Sequence, residues 1–156
     1  MNNIKSNQEK EKILVSACLV GKNCKYNGKN NYNENIVEFL KDYEPIYVCP
    51  EQLGGLSTPR SPAEIIGKKV INKDQVDITK EYEKGAQLTL MLAKKYKIKK
   101  AILKTKSPSC GKGKIYDGSF SNKLIIGNGI TTELLIKNNI QVISSEEIQN
   151  LINKLD

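Results

Sequence analysis

The chain has 156 residues, of which 38% are hydrophobic and 27% are charged, with a net charge of +8 and no histidine. This length and composition indicate one globular domain, and no apolar run is long enough to cross a membrane. The absence of histidine excludes Ser-His-Asp and Cys-His catalysis and histidine-ligated zinc, so acid–base chemistry falls to Glu, Asp, Lys, Tyr or Cys.

The positive charge is carried almost entirely by lysines, since Arg60 is the only arginine. Base readers and bidentate phosphate clamps favour arginine, and the lysines are scattered through every segment. A nucleic-acid partner is therefore possible but not favoured, and a lysine-rich solvated surface is the commoner arrangement.

The first twelve residues are polar and charged, without the apolar stretch of a secretion signal. We expect residues 1–12 to form a disordered N-terminal tail and residues 13–156 to form a single domain, located in the cytoplasm. The four cysteines are then not expected to form disulfides.

The first half of the domain alternates strand and helix. Residues 13–17 are an apolar-to-small run typical of a strand buried on both faces. Asn33 or Asn35 can cap a helix whose apolar positions, Ile36, Phe39 and Leu40, keep helical spacing. Residues 45–49 predict a second buried strand, after which Pro50 interrupts the ladder because it has no N–H.

An irregular loop over residues 53–63 is followed by two short strands, residues 65–71 and 75–78, which predict a hairpin turning at 72–74. Asp77 or Thr79 can cap the longest helix, which runs to about Tyr96. Its predicted inward face consists of Tyr82, Ala86, Thr89, Leu90 and Ala93.

The second half repeats the alternation. A third strand over residues 98–104 leads into a long loop at 107–129, then a helix from Thr131 or Thr132 to Lys137. Residues 141–143 are the fourth strand, and Ser144 with Glu147 forms a capping box for the last helix. This order predicts an α/β fold: a three-layer, Rossmann-like open parallel sheet of about four strands, with helices on both faces and a small hairpin insertion.

Three predicted strands run into a cysteine: Cys18, Cys49 and, six residues beyond Lys104, Cys110. In open parallel sheets, sites form beyond the carboxyl ends of the strands, so the three thiols are expected to meet there. Taken singly, each could be a small buried hydrophobic residue. Their equivalent positions, each beside Pro or Gly or in a loop, favour a metal centre.

Zinc is disfavoured because structural zinc sites often use paired C-x-x-C motifs, and none is present. Thiolates without histidine suit iron–sulfur clusters. Three cysteine ligands would leave one iron of a 4Fe-4S cluster without a protein ligand, and such an iron is a Lewis acid. Cys24, six residues after Cys18, is either a fourth ligand or a structural or substrate-side thiol.

Several segments together are similar to one family. They are residues 16–28 (SACLVGKNCKYNG), 48–56 (VCPEQLGGL), 58–64 (TPRSPAE), 101–104 (AILK), 107–111 (SPSCG) and 115–118 (IYDG). They resemble the 2-thiouracil desulfidase (TudS-like) family over essentially the whole chain after the tail. Lys25 and Ser57 depart from that pattern, which often has arginine and proline there, and leave the choice of substrate open.

The resemblance implies a 4Fe-4S cluster held by Cys18, Cys49 and Cys110, and a small-molecule thiolated nucleobase as substrate. It implies an iron–sulfur-dependent desulfidase: the thiocarbonyl sulfur of 2-thiouracil binds the free iron, water attacks the carbon, and sulfur leaves as hydrosulfide without net redox change. Glu51 would be the general base or proton shuttle, and Ser107 or Ser109 would bind substrate or orient water.

Other interpretations of these residues stay open. Glu51 can instead cap backbone amides, and Arg60 is either a structural partner of Glu64, which we favour, or a substrate donor. Lys104 and Lys106 either offset the charge of a cluster or are solvated. The alternative function is an iron–sulfur or zinc binding module that recognises thiolated RNA or hands on sulfur without turnover. The sequence leaves the oligomeric state open.

Overall fold

The protein is described here by a computed structural model, which covers residues 9–155, with side chains to residue 151. Most of the predicted tail, residues 1–8, lies outside the described residues. Residues 11 and 12, at the end of the predicted tail, belong to the first strand, β1, which spans Glu11–Ser16.

Four parallel strands form the central sheet, as predicted. They are β1, β2 (Tyr43–Val48), β5 (Lys100–Leu103) and β8 (Gln141–Ser144), in the spatial order β2-β1-β5-β8. Ser16 is paired with Val48 on one side of β1, and Leu14 with Ala101 on the other. Three strands with consecutive positions in the sheet therefore end at one edge.

Helices cover both faces of this sheet because successive strand residues point to opposite sides. Leu14 packs with residues of α3 (Thr79–Lys95) and α4 (Ile130–Lys137). Ile13 and Val15 pack on the other face with α1 (Glu34–Phe39) and α5 (Ser145–Leu155). Each large apolar side chain buried in these two cores contributes about 1.5–3 kcal/mol. The predicted three-layer α/β architecture is confirmed.

Two predicted helix caps are present. The Asn33 side chain accepts hydrogen bonds from the amides of Asn35 and Ile36 at the start of α1. The capping box of α5 is reciprocal: Ser144 Oγ accepts from the Glu147 amide at 3.1 Å, and Glu147 Oε1 accepts from the Ser144 amide at 3.2 Å. The predicted inward face of α3 is buried in full. No helix among residues 9–155 is long and apolar enough to cross a bilayer.

The prediction that the second strand is buried is wrong for part of the strand. β2 lies at the edge of the sheet, and Tyr47 on it is 49% exposed. The apolar run of this strand resembles that of a central strand, but Pro45 within it is a local signal for the edge, because proline cannot donate to a sheet ladder. Cys49 follows β2, and Pro50 begins a short helix that was not predicted, α2 (Pro50–Leu53).

The predicted hairpin is displaced. It consists of β3 (Ala63–Ile66) and β4 (Lys69–Asn72), which turn at Gly67, where φ is +63°. Glycine adopts this left-handed conformation without a steric penalty, which favours a turn here over one at 72–74. Residues 75–78 make only a single bridge, between Asp77 and Ile71.

The long loop predicted at 107–129 contains a second hairpin, β6 (Lys114–Tyr116) with β7 (Leu124–Ile126). All three residues of β7 are exposed, so the strand has no buried face. Its three residues are all apolar, so its sequence lacks the alternation of apolar and polar residues that identifies half-buried strands.

Two glycines allow α2 to lie directly on α3. A Cβ atom on Gly54 would sit 2.0 Å from the Glu81 carbonyl oxygen, and one on Gly85 would sit 2.0 Å from the Pro50 carbonyl oxygen. The backbones of the two helices are therefore in direct contact, and a side chain at either glycine would push one helix away from the other. This contact fixes the segment that follows β2, which carries Cys49 and Glu51.

We predict that Gly85→Ala lowers the free energy of unfolding by about 2 kcal/mol, since the new methyl group forces α2 away from α3. Helix propensity alone would give the opposite sign, because alanine in a helix is favoured over glycine by about 1 kcal/mol. Urea unfolding measures the difference, with Lys84→Ala, an exposed neighbour, as the control. A Gly85→Ala protein as stable as the unmodified chain would refute the close contact.

Candidate functional site

A cavity of about 390 Å³ lies beyond the carboxyl ends of β2, β1 and β5. Its lining includes Cys18, Cys49 and Cys110, together with Glu51 and Ser107. The expected convergence of the three predicted strand-end thiols on one cavity is what the structure shows.

Each cysteine is held by the backbone that follows its strand. Cys18 lies in a single 3₁₀ turn, Ala17–Val20, directly after β1. Cys49 is the residue between β2 and α2. Cys110 lies in the loop after β5, where its amide donates to Ser107 Oγ at 3.0 Å.

Cys24 is a fourth thiol of the same cavity. Its side chain is hydrogen-bonded to both Cys18 and Cys49, which lowers the pKa of each of these thiols to about 7 and raises that of Cys24. Asn31 Nδ2 also donates to Cys18 Sγ at 3.3 Å. Of these three thiols, Cys24 therefore holds its proton most tightly in the protein without a metal centre.

Cys110 differs from Cys18 and Cys49. Complete burial is the main cause that raises the pKa of its thiol to about 12. Because thiolates are the metal-binding form of cysteine, binding of a metal centre at Cys110 must displace this proton.

The described thiols are not arranged as the ligands of a single metal ion. Among residues 9–151, no three His, Cys, Asp or Glu side chains are placed to hold one metal ion. An iron–sulfur cluster has a larger inorganic core, so its cysteine ligands stand further apart than the ligands of one zinc ion. Cys18, Cys49 and Cys110 line the cavity from three different segments of the chain.

Glu51 is held by two donors. Tyr82 donates its hydroxyl hydrogen to Glu51 Oε1 at 2.5 Å, and Arg60 Nε donates to the same oxygen at 3.3 Å. Tyr82 comes from the buried face of α3, and its burial, followed by the charge of Glu51, raises its pKa well above the usual value. Tyr82 therefore remains a donor, and both bonds fix the carboxylate in the cavity wall.

Arg60 does not pair with Glu64, and this prediction is wrong. Its guanidinium instead donates to Glu51, to the Cys24 carbonyl oxygen at 2.8 Å and to Thr58 Oγ1 at 2.8 Å. Glu64 accepts from the backbone amides of Gly118 and Phe120. The reason is topological: the turn at Gly67 places Glu64 beside the β6–β7 hairpin. Arg60 thus links the Glu51 helix to the Cys24 loop, a structural role.

The two predicted serines lie in different places. Ser107 lines the cavity, and its Oγ accepts from the amides of Ser109 and Cys110, each at 3.0 Å. Ser109 is buried, does not line the cavity, and is hydrogen-bonded to Thr131 Oγ1 of α4 at 3.0 Å. The structure therefore brings Ser107, but not Ser109, to the cavity.

Four lysines, Lys25, Lys73, Lys104 and Lys106, also line the cavity. Burial lowers the pKa of Lys104, and the nearby Cys18 works in the opposite direction. The charge of Lys104 helps to lower the pKa of Cys18. Lys104 and Lys106 lie at the expected edge of the sheet.

The sequence interpretation missed Tyr82 as a residue of the site and assigned it only to the core. A signal was present, since a buried tyrosine hydroxyl needs a hydrogen-bond partner. No sequence signal identified Glu51 as that partner, because the two residues are 31 positions apart and meet only through the α2–α3 contact.

Comparisons with known proteins place these residues in context. The model of the 2-thiouracil desulfurase family matches residues 13–147. The chain is 43% identical over 150 residues to a protein of Bacillus subtilis (strain 168) named "Uncharacterized protein YbbK", covering 90% of this chain and 99% of that protein. It is 42% identical to a solved structure titled 4Fe-4S-dependent thiouracil desulfidase TudS, with a TM-score of 0.85 and coverage of 94% of this chain and 98% of that one.

We predict that Arg60→Ala lowers the free energy of unfolding by about 3 kcal/mol, because it removes a buried charged donor from both Glu51 and the Cys24 carbonyl. Arg60→Lys keeps the charge but loses the guanidinium fork, so it should recover only part of this loss. Chemical denaturation provides the measurement. Lys41→Ala, which removes an ion pair of two side chains that are each 67% exposed, is the control. Equal effects of Arg60→Ala and Lys41→Ala would contradict a structural role.

Proposed function

Because the chain belongs to the 2-thiouracil desulfurase family, we propose that it is an enzyme that removes sulfur from a thiolated pyrimidine such as 2-thiouracil. The reaction we infer consumes one water: the C=S bond is replaced by C=O, and sulfur leaves as hydrosulfide. No electrons are gained or lost overall. The observation that carries the proposal is the convergence of three strand-end thiols and Glu51 on one cavity.

The cofactor we assign is a 4Fe-4S cluster held by Cys18, Cys49 and Cys110. The solved relative titled as 4Fe-4S-dependent supports this choice, as does the distribution of the thiols around the cavity. When bound through three cysteines, such a cluster supplies a Lewis-acidic iron for a thiocarbonyl sulfur. Cys24 then serves as a hydrogen-bond donor to one ligand sulfur, that of Cys18 or of Cys49, a contact of the kind that tunes iron–sulfur centres.

Glu51 is the residue that we assign to proton transfer. Tyr82 and Arg60 both donate to its Oε1. Among the residues that the structure describes, no hydrogen bond to Oε2 is found, so this oxygen is the one that accepts a proton from the attacking water. The same carboxyl can return a proton to the departing sulfur. Two fixed donors hold the carboxylate in place, which limits the reorganisation needed during the reaction.

The two serines are assigned unequal roles. Ser107 lies at the cavity wall, where its hydroxyl hydrogen is available to substrate or water while its oxygen accepts from two amides. Ser109 acts only indirectly, through its bond to α4 and its place beside Cys110. Ser107 is therefore the serine proposed to contact the substrate.

Anaerobically reconstituted protein is expected to convert 2-thiouracil to uracil and hydrosulfide, and Glu51→Gln should reduce kcat by about 10²- to 10⁴-fold through the loss of the proton acceptor. Chromatography of uracil and a hydrosulfide assay report the rate, and Glu38→Gln on the exposed face of α1 is the control. A Glu51→Gln enzyme with full activity would remove Glu51 from the mechanism. Salt-sensitive binding of thiolated RNA without turnover of the free base would favour the binding module instead.

Separate Cys18→Ala, Cys49→Ala and Cys110→Ala substitutions should each deplete iron and acid-labile sulfide and abolish visible absorbance, because each removes a cluster ligand. Cys24→Ala is the matched variant from the same cavity and should keep its iron. Metal and sulfide analysis after anaerobic reconstitution provides the readout. Loss of iron from Cys24→Ala equal to that of the other three variants would indicate four ligands.

A further inference from the structure

The turn that joins β6 to β7 forms part of the cavity wall. Phe120 and Asn122 from this turn line the cavity, and Glu64 of β3 lines it from the neighbouring hairpin. This turn is far in sequence from the strand ends that carry the cysteines. It brings an aromatic side chain to the space where a planar ring would bind.

Glu64 joins the two hairpins. Its Oε1 accepts from the Gly118 amide at 3.0 Å and from the Phe120 amide at 3.1 Å. Among the described residues, Glu64 makes no ion pair within 4.0 Å, so these amides are the polar partners found for its carboxylate. A carboxylate that accepts two backbone amides makes charge-assisted bonds, which are stronger than neutral ones.

The turn depends on support from outside itself. Phe120 and Asn122 have φ values of +56° and +63°, a left-handed conformation that residues with side chains rarely adopt. Asp117 Oδ1 accepts from the Ser119 amide at 2.8 Å, but it bonds neither the Gly118 nor the Phe120 amide. Glu64 is therefore the residue that accepts hydrogen bonds from those two amides.

Gly118 makes the close approach possible. A Cβ atom at this position would lie 2.7 Å from Ile66 Cγ1 and 3.0 Å from the Ile65 carbonyl oxygen, so the turn is packed against β3. The residue has a φ of +93°. Packing and hydrogen bonding at Glu64 therefore act on the same short segment and fix the direction from which Phe120 meets the cavity.

We propose that Glu64 is a positioning residue, which holds the β6–β7 turn so that Phe120 forms one wall of the binding space for the substrate ring. This inference rests on the proposed function for the identity of the ring. It assigns no role in proton transfer to Glu64. Loss of Glu64 should therefore weaken substrate binding and leave the chemical step largely intact.

The first test is hydrogen exchange of reconstituted protein, followed by mass spectrometry of a peptide that contains residues 114–126. Glu64→Ala should exchange at least about tenfold faster in this peptide, because two amide bonds lose their acceptor. Glu64→Gln keeps an acceptor oxygen and should remain close to the unmodified protein. Asp77→Ala, which removes a carboxylate bonded to the Thr79 amide elsewhere, is the matched control. Unchanged exchange in Glu64→Ala would overturn the proposal.

The second test is kinetic. Glu64→Ala should raise KM for 2-thiouracil by about five- to tenfold and change kcat by less than about twofold, the pattern of lost ground-state binding. Phe120→Ala should have a similar effect, and the double variant should be no worse than the poorer single variant, since Glu64 acts through Phe120. Multiplicative effects in the double variant, or an unchanged KM in Glu64→Ala, would overturn the positioning role.

The two tests separate this inference from the proposed function. If the unmodified protein does not convert 2-thiouracil, the proposed function fails, and with it the substrate role of Phe120. The exchange rates would still decide whether Glu64 holds the turn, because they need no substrate.

Discussion

The parallel register of β2, β1 and β5 is the constraint on which the site depends. Because the three strands are neighbours and run in the same direction, they end at one edge and bring Cys18, Cys49 and the Cys110 loop to the same cavity. The apolar cores on the two faces of the sheet maintain that register, since a shift of one residue would turn buried side chains toward the opposite face. Packing far from the cysteines thus determines which thiols can share one inorganic core.

A second set of constraints comes from largely buried polar groups, which need hydrogen-bond partners. Glu51 receives Tyr82 from α3 and Arg60 from the following loop, and Arg60 also reaches the Cys24 carbonyl. These bonds link the carboxylate proposed for proton transfer to the loop of the fourth thiol. The glycine contact between α2 and α3 brings Tyr82 within reach. Backbone packing and the electrostatics of the cavity are therefore parts of one arrangement.

The features that were predicted from sequence are those with strong local patterns. The four sheet strands, the face of α3, the caps at Asn33 and Ser144 and the convergence of the cysteines all follow from periodicity, capping chemistry and α/β topology. The misses have physical causes: β7 has no buried face, the apolar run of β2 resembles that of a central strand despite Pro45, and the β3–β4 turn was decided by Gly67. The Arg60–Glu51 and Glu64–turn contacts join segments separated in sequence, and only the folded hairpins determine them.

We propose that Cys18, Cys49 and Cys110 bind a common cluster and leave one iron without a protein ligand. Mössbauer spectroscopy of ⁵⁷Fe-reconstituted protein, with and without 2-thiouracil, tests it most directly. One iron site should differ from the other three, and its isomer shift and quadrupole splitting should change when 2-thiouracil is added. Four equivalent irons that do not respond to 2-thiouracil, or iron without acid-labile sulfide, would contradict it.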